Sequence, residues 1–343
     1  MLARSTRLEL PGGGHLDTPL LVPSLSSKGF PTLRQSGRDV SEAQMYLRLA
    51  APHLNETLLV SAYDLHYGHL PDVDRFQSGF LQSIYSNPKL LIIDSGGYEK
   101  SRDYDAGSLY RYPFKSKRWG AGKLGDLLDS FAPEVTGAIV NFDGRGSYDQ
   151  QIADSQAFMA RWPRFLSVFL LKPEPRAQFI DVDRLHPHAQ RLRAFSALGV
   201  TEKELGSTLL DRAVRVAGLR RMLDSRDVHI PIHLFGSLDT VFTPLYFLSG
   251  AEIFDGLTWL RYAYRKGLTI YGDSLALMEQ NLTLRDDQRL TAMVVQNLHY
   301  LARLKTQMHR YVAEEDIAVF EEVAPTLQQS ISAVQAAVGG GGS

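Results

Sequence analysis

The sequence predicts an α/β protein whose strands close into a (β/α)8 TIM-like barrel with additional C-terminal helices. Short apolar runs recur along most of the chain, and segments compatible with helices separate many of them. This alternation is typical of a parallel sheet with right-handed crossovers. About eight such runs in 343 residues fit a closed barrel better than the alternative, an open doubly wound sheet.

The predicted strands are rich in Leu, Ile, Val and Phe, as expected of strands buried on both faces. They comprise residues 18–23, 56–63, 89–94, 137–143, 165–171, 194–200, 228–236 and 251–257. The helix-compatible segments between them comprise residues 41–53, 121–130, 149–161, 203–224 and 239–249. All of these elements lie within residues 1–285, which we assign to the barrel.

Three segments do not follow the strand and helix alternation. Residues 286–338 carry apolar side chains at helical spacing, which predicts C-terminal helices packed on the barrel. Residues 99–120 are polar, aromatic and basic, and they predict an insertion that is either a solvated loop or a substrate contact. Residues 339–343 read GGGGS, which is typical of a flexible linker tail, and we exclude them from the fold.

The composition restricts the classes of function. The chain is 44% hydrophobic and 22% charged, as expected of a globular protein with a substantial core. Its net charge of −1 provides no overall basic field, although nucleic-acid binding depends on local patches. The absence of cysteine excludes disulfides, thiolate metal sites and a cysteine nucleophile. With no signal-like or membrane-length apolar stretch, we expect a cytoplasmic protein without a membrane partner.

Two histidines, His229 and His233, stand four residues apart within a predicted strand, a spacing that places both on one face. No third ligand accompanies them, so we interpret them as structural residues and expect no bound metal or cofactor.

Three predicted strands end in an aspartate: Asp94 follows LLII, Asp143 follows AIVNF, and Asp255 follows AEIF. A single aspartate after a strand is more often a helix cap or turn residue. In a (β/α)8 barrel, however, the C-terminal ends of the strands meet at one mouth, where active sites lie. Three such aspartates therefore indicate a shared site. Burial and repulsion would separate their pKa values, so that one serves as an acid and another as a nucleophile.

The run DSGGY at residues 94–98 resembles the signature of the tRNA-guanine transglycosylase family, in which DSGG precedes Phe or Tyr. Similarity to that family extends over most of residues 5–320. It includes the opening hairpin and first strand, the second strand with Tyr63, the segment from IHLFG to IFDG, and the terminal helix QNLHYLARLKTQMHRYV. The resemblance implies that residues 1–285 form a catalytic barrel.

The resemblance also implies residue roles. Asp255 matches the family's nucleophile and Asp94 its general acid/base, in a base exchange through a covalent sugar ester. Tyr98 matches the aromatic residue that stacks on the base, and Asp143 the carboxylate that reads the guanine edge. Arg261 and Arg265 are either phosphate contacts or members of surface ion pairs. The other matched residues are Ser95, Gly96, Gly97, Leu198 and Gly199 for the base, and Tyr63 for the sugar or phosphate.

The sequence departs from the family at several points. The family's zinc site uses three cysteines and a histidine, so its zinc subdomain is absent here and no zinc is expected. Gly144 and Arg145 replace the usual Glu-Cys, and the expected glutamine is not evident in LLKPEPR. These departures resemble the zinc-free relatives that act in 7-deazaguanine modification of DNA. The leading prediction is therefore exchange of guanine in nucleic acid, DNA rather than tRNA, for a 7-deazaguanine base.

Two alternatives stay open. One is a tRNA-guanine transglycosylase-like or base-releasing enzyme of a bacterial defence system. The other is a non-catalytic subunit that binds nucleic acid or a base, which the presence of both Asp94 and Asp255 disfavours. The sequence leaves open the incoming base and whether a partner protein or a homodimer is required.

Overall fold

The computed structural model describes residues 2–35, 38–71, 85, 87–100, 115–132 and 135–339. Eight parallel strands form a closed barrel, which confirms the predicted fold and excludes the open sheet. The strands are Leu20–Leu25 (β1), Thr57–Ser61 (β2), Leu90–Asp94 (β3), Gly137–Val140 (β4), Phe165–Leu171 (β5), Ala197–Thr201 (β6), Ile232–Phe235 (β7) and Ile253–Gly256 (β8). Each strand pairs with its neighbours in sequence, and β8 pairs with β1 to close the barrel.

The barrel is filled by side chains from alternate positions of its strands. Leu90 and Ile92 of β3 belong to the interior cluster, whereas Leu91 and Ile93 pack outward with the surrounding helices. A small hairpin formed by Arg7–Glu9 and His15–Asp17 adds two further leucines to the interior cluster. This hairpin precedes β1 and covers the N-terminal end of the barrel, so the opposite end is left for a site.

Helices surround the barrel and continue after it. The α-helices of the described residues are Glu42–Ala50, Ala62–His66, Gly97–Lys100, Ala121–Ser130, Tyr148–Met159, Val182–Leu185, Leu209–Ser225, Phe242–Leu248, Thr258–Arg261, Gly272–Met278, Asp286–Glu314 and Ala324–Gly339. Short 3-10 segments are Ala51–His53, His186–Ala194, Glu202–Glu204 and Ile317–Val323. Two more hairpins pair Thr32–Gln35 with Arg38–Ser41 and Ala263–Arg265 with Leu268–Ile270.

The helix predicted from residue 203 begins later, at Leu209, because a capping box fixes its start. The Thr208 side chain accepts a hydrogen bond from the Asp211 N–H, and the Asp211 carboxylate accepts one from the Thr208 N–H. Glu202–Glu204 forms a separate 3-10 turn after β6.

The long terminal helix Asp286–Glu314 is anchored to the chain that follows β8. Its buried Asn297 accepts a hydrogen bond from the Tyr264 N–H at 2.7 Å and donates to the carbonyls of Trp259 and Tyr262, also at 2.7 Å. These bonds fix the long terminal helix against the segment that follows the last barrel strand. Gly339 ends the last helix.

Parts of two predictions lie outside the described residues. Of the insertion at 99–120, residues 101–114 are not described, and residues 115–120 are irregular. Of the tail, residues 340–343 are likewise not described. Among the described residues, no helix combines the length and apolar character needed to cross a bilayer.

Gly137 provides a test of the strand packing. Its φ is +149°, and a β-carbon there would lie 2.2 Å from the Leu91 carbonyl oxygen of β3. We expect Gly137→Ala to lower the free energy of unfolding by about 2–4 kcal/mol, because the added methyl group strains the backbone and separates β3 from β4. Denaturant titration measures the change.

Gly122 is the matched control. It lies in the exposed first turn of Ala121–Ser130, and an added β-carbon would meet no atom within 4 Å. Gly122→Ala should raise the free energy of unfolding by about 0.5–1 kcal/mol. Equal effects of the two substitutions would contradict the packing described for Gly137.

Candidate active site

A cavity of about 400 Å³ lies at the C-terminal mouth of the barrel. Asp94, Asp143 and Asp255 all line it, so the structure brings the three predicted aspartates together. Further lining residues at or just beyond strand ends are Ser24, Ser26, Ser61, Lys172, Thr201 and Phe235. The loop after β3 adds Ser95, Gly97, Tyr98 and Glu99.

Asp255 is held by the two strands that flank β8. Ser24 of β1 donates its hydroxyl to Oδ2 at 2.7 Å, and His233 Nε2 of β7 lies 3.2 Å from Oδ1. The Asp255 side chain is 8% exposed and that of His233 is fully buried. Each carboxylate oxygen therefore has one hydrogen-bonding neighbour, and the orientation of the group is fixed from both sides.

Asp94 ends β3 and accepts one hydrogen bond, from the Gly96 N–H to Oδ2 at 3.1 Å. Although the residue faces the cavity, burial of its carboxyl group raises its pKa, and the charges of Glu99, Asp143 and Asp255 raise it further, to about 8. A carboxyl group with this pKa is predominantly protonated at neutral pH. A carboxylic acid in this state can donate a proton to a bound molecule.

Asp143 forms an ion pair with Lys172 in the cavity wall. Lys172 Nζ lies 3.5 Å from Asp143 Oδ2 and contacts Thr201 Oγ1 at 3.0 Å and Glu204 Oε2 at 3.2 Å. Burial lowers the pKa of Lys172, but the neighbouring charges of Asp143 and Glu204 outweigh it and the pKa is raised overall. A cation and an anion therefore stand side by side in the cavity wall.

The glycines of the DSGGY turn are required for different reasons. Gly96 has a φ of +80°, and a β-carbon there would lie 2.7 Å from Trp119 Nε1 and 2.8 Å from Tyr63 Cβ. At Gly97 a β-carbon would lie 2.6 Å from Asp143 Oδ2. The first glycine allows the turn to form, and the second leaves room for the carboxylate of Asp143.

Ser95 and Tyr98 complete this turn. The Ser95 hydroxyl donates to Asp143 Oδ1 at 3.3 Å, and its carbonyl accepts from Trp119 Nε1 at 2.8 Å. The half-buried Tyr98 has the ammonium of Lys28 4.3 Å from its ring centroid, and Lys28 Nζ also donates to the Tyr98 carbonyl at 2.7 Å. Lys28 thus lies over one face of the Tyr98 ring.

Gly96 and three further residues predicted as direct contacts do not line the cavity. Tyr63 is fully buried, its hydroxyl accepts from the Lys117 N–H at 2.7 Å, and it supports Gly96 from beneath. The side chain of Leu198 belongs to the outer cluster, because strand alternation turns it toward the helices. Gly199 faces inward but lies against Phe235, whose ring would be 2.7 Å from a β-carbon there. These three positions therefore contribute to the packing of the barrel around the cavity.

The two predicted phosphate contacts also lie outside the cavity lining. Arg265 forms an ion pair with Glu279 at 2.9 Å, as the surface-pair alternative predicted. Arg261 ends the short helix after β8, and its guanidinium lies 5.5 Å from the Phe30 ring centroid.

Several polar residues of the site were not singled out from the sequence. Lys172 and Ser24 touch the predicted aspartates, and Glu99 accepts hydrogen bonds from Ser26 and Ser61. His233 was singled out, but not as a neighbour of Asp255. Two of these residues could have been found from the sequence, because alternate strand residues face the barrel interior and this alternation continues beyond the apolar residues. Lys172 lies two residues after the inward-facing Leu170, and Ser24 lies two residues after Val22.

The two histidines do not share a face, which corrects the sequence interpretation. His229 precedes β7, is exposed and contacts Asp227 at 2.8 Å, whereas His233 lies within the strand and contacts Asp255. The chain between them is not a strand until Ile232, so the assumed alternation does not apply. Over the described ranges, no cluster of three or more histidine or acidic side chains could hold a metal ion.

Exposed cations border the acidic interior. Arg145, Arg176 and Lys203 line the mouth of the cavity. On the side of the β3 turn, Lys117 and Lys123 lie 4.6 and 4.9 Å from the ring centroid of Tyr67. Exposed lysine and arginine side chains are suited to phosphate contacts that carry no sequence information.

A scan of protein-family models and a search of curated proteins found no match to this chain. What the protein does must therefore be inferred from the chemistry of the cavity and from the sequence motifs.

The raised pKa of Asp94 makes stability depend on pH. Between about pH 4 and pH 8 the folded protein keeps a proton that the unfolded chain, with a pKa near 3.8, has lost. The contribution of this group to the free energy of unfolding therefore falls as pH rises through that window. Asp94→Asn removes the ionisation. We expect the variant to be about 1–3 kcal/mol more stable than the parent at about pH 8–9, with the difference shrinking toward pH 4.

Urea titration of both proteins across this pH range measures the difference. A difference between parent and variant that is the same at every pH would show that Asp94 does not carry a raised pKa.

Proposed function

We propose that this protein is a transglycosylase that exchanges guanine in nucleic acid, DNA rather than tRNA, for a 7-deazaguanine base. The observation that carries the proposal is the meeting of two differently prepared carboxyl groups in one cavity. Asp94 is protonated at neutral pH, and Asp255 is held in place by His233 and Ser24. Retaining glycosidases divide the same chemistry between an acid and a nucleophile.

In the proposed reaction, a carboxylate oxygen of Asp255 attacks C1′ of the target nucleoside. The C1′–N9 bond breaks, its electron pair leaves with guanine, and Asp94 donates a proton to the departing base. An ester then joins Asp255 to the sugar. The incoming base loses its N9 proton to Asp94 and attacks C1′, which releases Asp255. No nucleoside triphosphate is consumed.

The Asp143–Lys172 pair supports guanine as the leaving base. A guanine edge presents two donors, N1–H and the exocyclic amine, beside an acceptor, O6. Asp143 can accept from the donors, and Lys172 can donate to O6. Adenine carries an amine where guanine carries O6. This amine is a hydrogen-bond donor and would face the ammonium of Lys172, which can also only donate. One face of Tyr98 would stack on the base, an interaction worth about 1–3 kcal/mol.

We choose DNA because the sequence resembles the zinc-free relatives that act in DNA modification. The cationic rim, formed by Arg145, Arg176 and Lys203 at the mouth of the cavity, supports a polyanionic substrate of either kind. A base within a duplex must be flipped out before its C1′ can be attacked, at a cost of a few kcal/mol. A partner protein or a homodimer could supply that assistance, in the cytoplasm.

Asp255→Ala tests the covalent mechanism. The parent protein, incubated with DNA or tRNA and radiolabelled guanine or 7-cyano-7-deazaguanine, should incorporate label into DNA. Asp255→Ala should lower incorporation by about 10³-fold or more, because no ester can form. Mass spectrometry of the denatured parent protein should detect a nucleotide adduct on Asp255. The control is Asp154→Ala, at an exposed position of Tyr148–Met159, which should behave as the parent.

Each outcome discriminates among the functions considered. Label that enters only tRNA would contradict the DNA assignment. Release of guanine without incorporation would favour a base-releasing enzyme, and binding without either reaction would favour the non-catalytic subunit. Unchanged exchange by Asp255→Ala would show that the covalent mechanism is wrong.

Lys172→Met tests the base-reading pair. We expect the KM for guanine to rise about 10–100-fold, because O6 loses its donor. Lys203→Met at the rim is the comparison: it should weaken nucleic-acid binding mainly at low salt, reduce the dependence of binding on salt, and leave the KM for the free base unchanged. If both variants change the same parameter, the assignment of the pair to base recognition is incorrect.

A further inference from the structure

His233 is a buried polar residue whose contribution the reaction above does not specify. Its imidazole is fully buried, with Nε2 3.2 Å from Asp255 Oδ1. The ring stacks on Phe235 from the same strand, with centroids 3.9 Å apart and planes inclined by 25°. The plane of the imidazole is therefore fixed by packing, and its Nε2 is directed at the proposed nucleophile.

The surroundings of the ring determine where its proton lies. An ionised carboxylate only accepts hydrogen bonds, so Nε2 must donate to Asp255. Among the described residues, Nδ1 of His233 is buried and has no hydrogen-bond partner. If Nδ1 also carried a proton, it would be a buried N–H group with no acceptor among these residues, which costs free energy. The arrangement favours the neutral imidazole with its proton on Nε2.

Ser24 acts on the other oxygen of the same carboxylate. The two donors come from β1 and β7, which flank β8 on either side. The order of contacts differs from that of a serine hydrolase, because the carboxylate of Asp255 lies between the hydroxyl and the imidazole. Because Asp255 lies between them, His233 cannot accept the proton of Ser24. Both side chains instead form hydrogen bonds with Asp255.

We propose that His233 is the positioning residue of Asp255: a neutral imidazole that donates through Nε2 and holds the carboxylate in the orientation for attack on C1′. The catalytic consequence rests on the proposed function, whereas the tautomer and the hydrogen bond do not. Once the ester has formed, its carbonyl oxygen can accept the same N–H, so the imidazole needs no change of protonation during the exchange.

Nitrogen-15 spectroscopy of the full-length protein labelled at histidine tests the hydrogen bond directly. His233→Gln identifies the His233 signals among the ten histidines, since those signals disappear. We expect the pattern of a neutral ring protonated at Nε2 and bare at Nδ1. In Asp255→Ala the Nε2–H signal should shift, because its acceptor is gone. A ring protonated at Nδ1 alone would overturn the proposal, even in a protein that exchanges no base.

Single-turnover kinetics test the positioning role. His233→Leu should slow formation of the Asp255 adduct by about 10–100-fold without raising the KM for the incoming base, because a misaligned nucleophile affects the bond-forming step. His233→Gln, which can place an N–H near the position of Nε2, should recover part of that loss. His229→Gln applies the same change to an exposed histidine outside the cavity and should leave the rate unchanged.

The outcomes separate this proposal from the proposed function. Equal adduct formation by folded His233→Leu and the parent would overturn the positioning role while leaving transglycosylation intact. If the parent forms no adduct with any substrate, the proposed function fails, and the nitrogen-15 spectra still decide the hydrogen bond. If His233→Leu does not fold, His233→Gln carries the kinetic test: a rate no better than that of Asp255→Ala would contradict the donor role.

Discussion

The site depends on one constraint: carboxyl groups stand directly above an apolar barrel interior, where an unaccompanied charge is costly. The three aspartates meet this constraint in different ways. Asp94 has one backbone donor and keeps a proton. Asp255 receives a side-chain donor on each oxygen, and Asp143 has a lysine beside it. One environment thus yields a protonated acid, an oriented carboxylate and a carboxylate paired with a cation, which are the groups that the proposed base exchange uses.

The strand pattern made most of the fold predictable. Each predicted strand overlaps one strand of the barrel, because runs buried on both faces are distinct in sequence, and Asp94 was correctly placed at a strand end. Contacts between strands were not predictable in the same way. Nothing near Asp255 in the sequence indicates Ser24, and the pairing follows only from the closure of β8 on β1. The residues 101–114 of the predicted insertion lie outside the described structure.

The predicted positions that lie outside the cavity lining have a common physical explanation. Resemblance carries a residue type from one protein to another but does not specify which face of a strand the side chain occupies. Leu198 shows this most clearly, since its neighbours in the strand face the interior while it packs against helices. Tyr63 likewise lies outside the cavity, because it packs behind the DSGGY turn, beside Gly96 and with its ring edge-on to Trp119. For His233, the assumed strand began too early, which wrongly placed it on one face with His229. Its contact with Asp255 follows from the pairing of β7 with β8.

The hydrogen bond between Ser24 and Asp255 joins residues 231 positions apart, across the seam where the last barrel strand meets the first. Contacts of such long range form late, since the chain between them must be ordered first. A nascent chain that ends before β8 contains Asp94 and Asp143 but lacks Asp255, the proposed nucleophile. A chain whose barrel has not closed contains Asp255 without the donor from β1. Closure of the barrel therefore completes the surroundings of Asp255, and a partly folded molecule lacks the oriented carboxylate on which the proposed exchange depends.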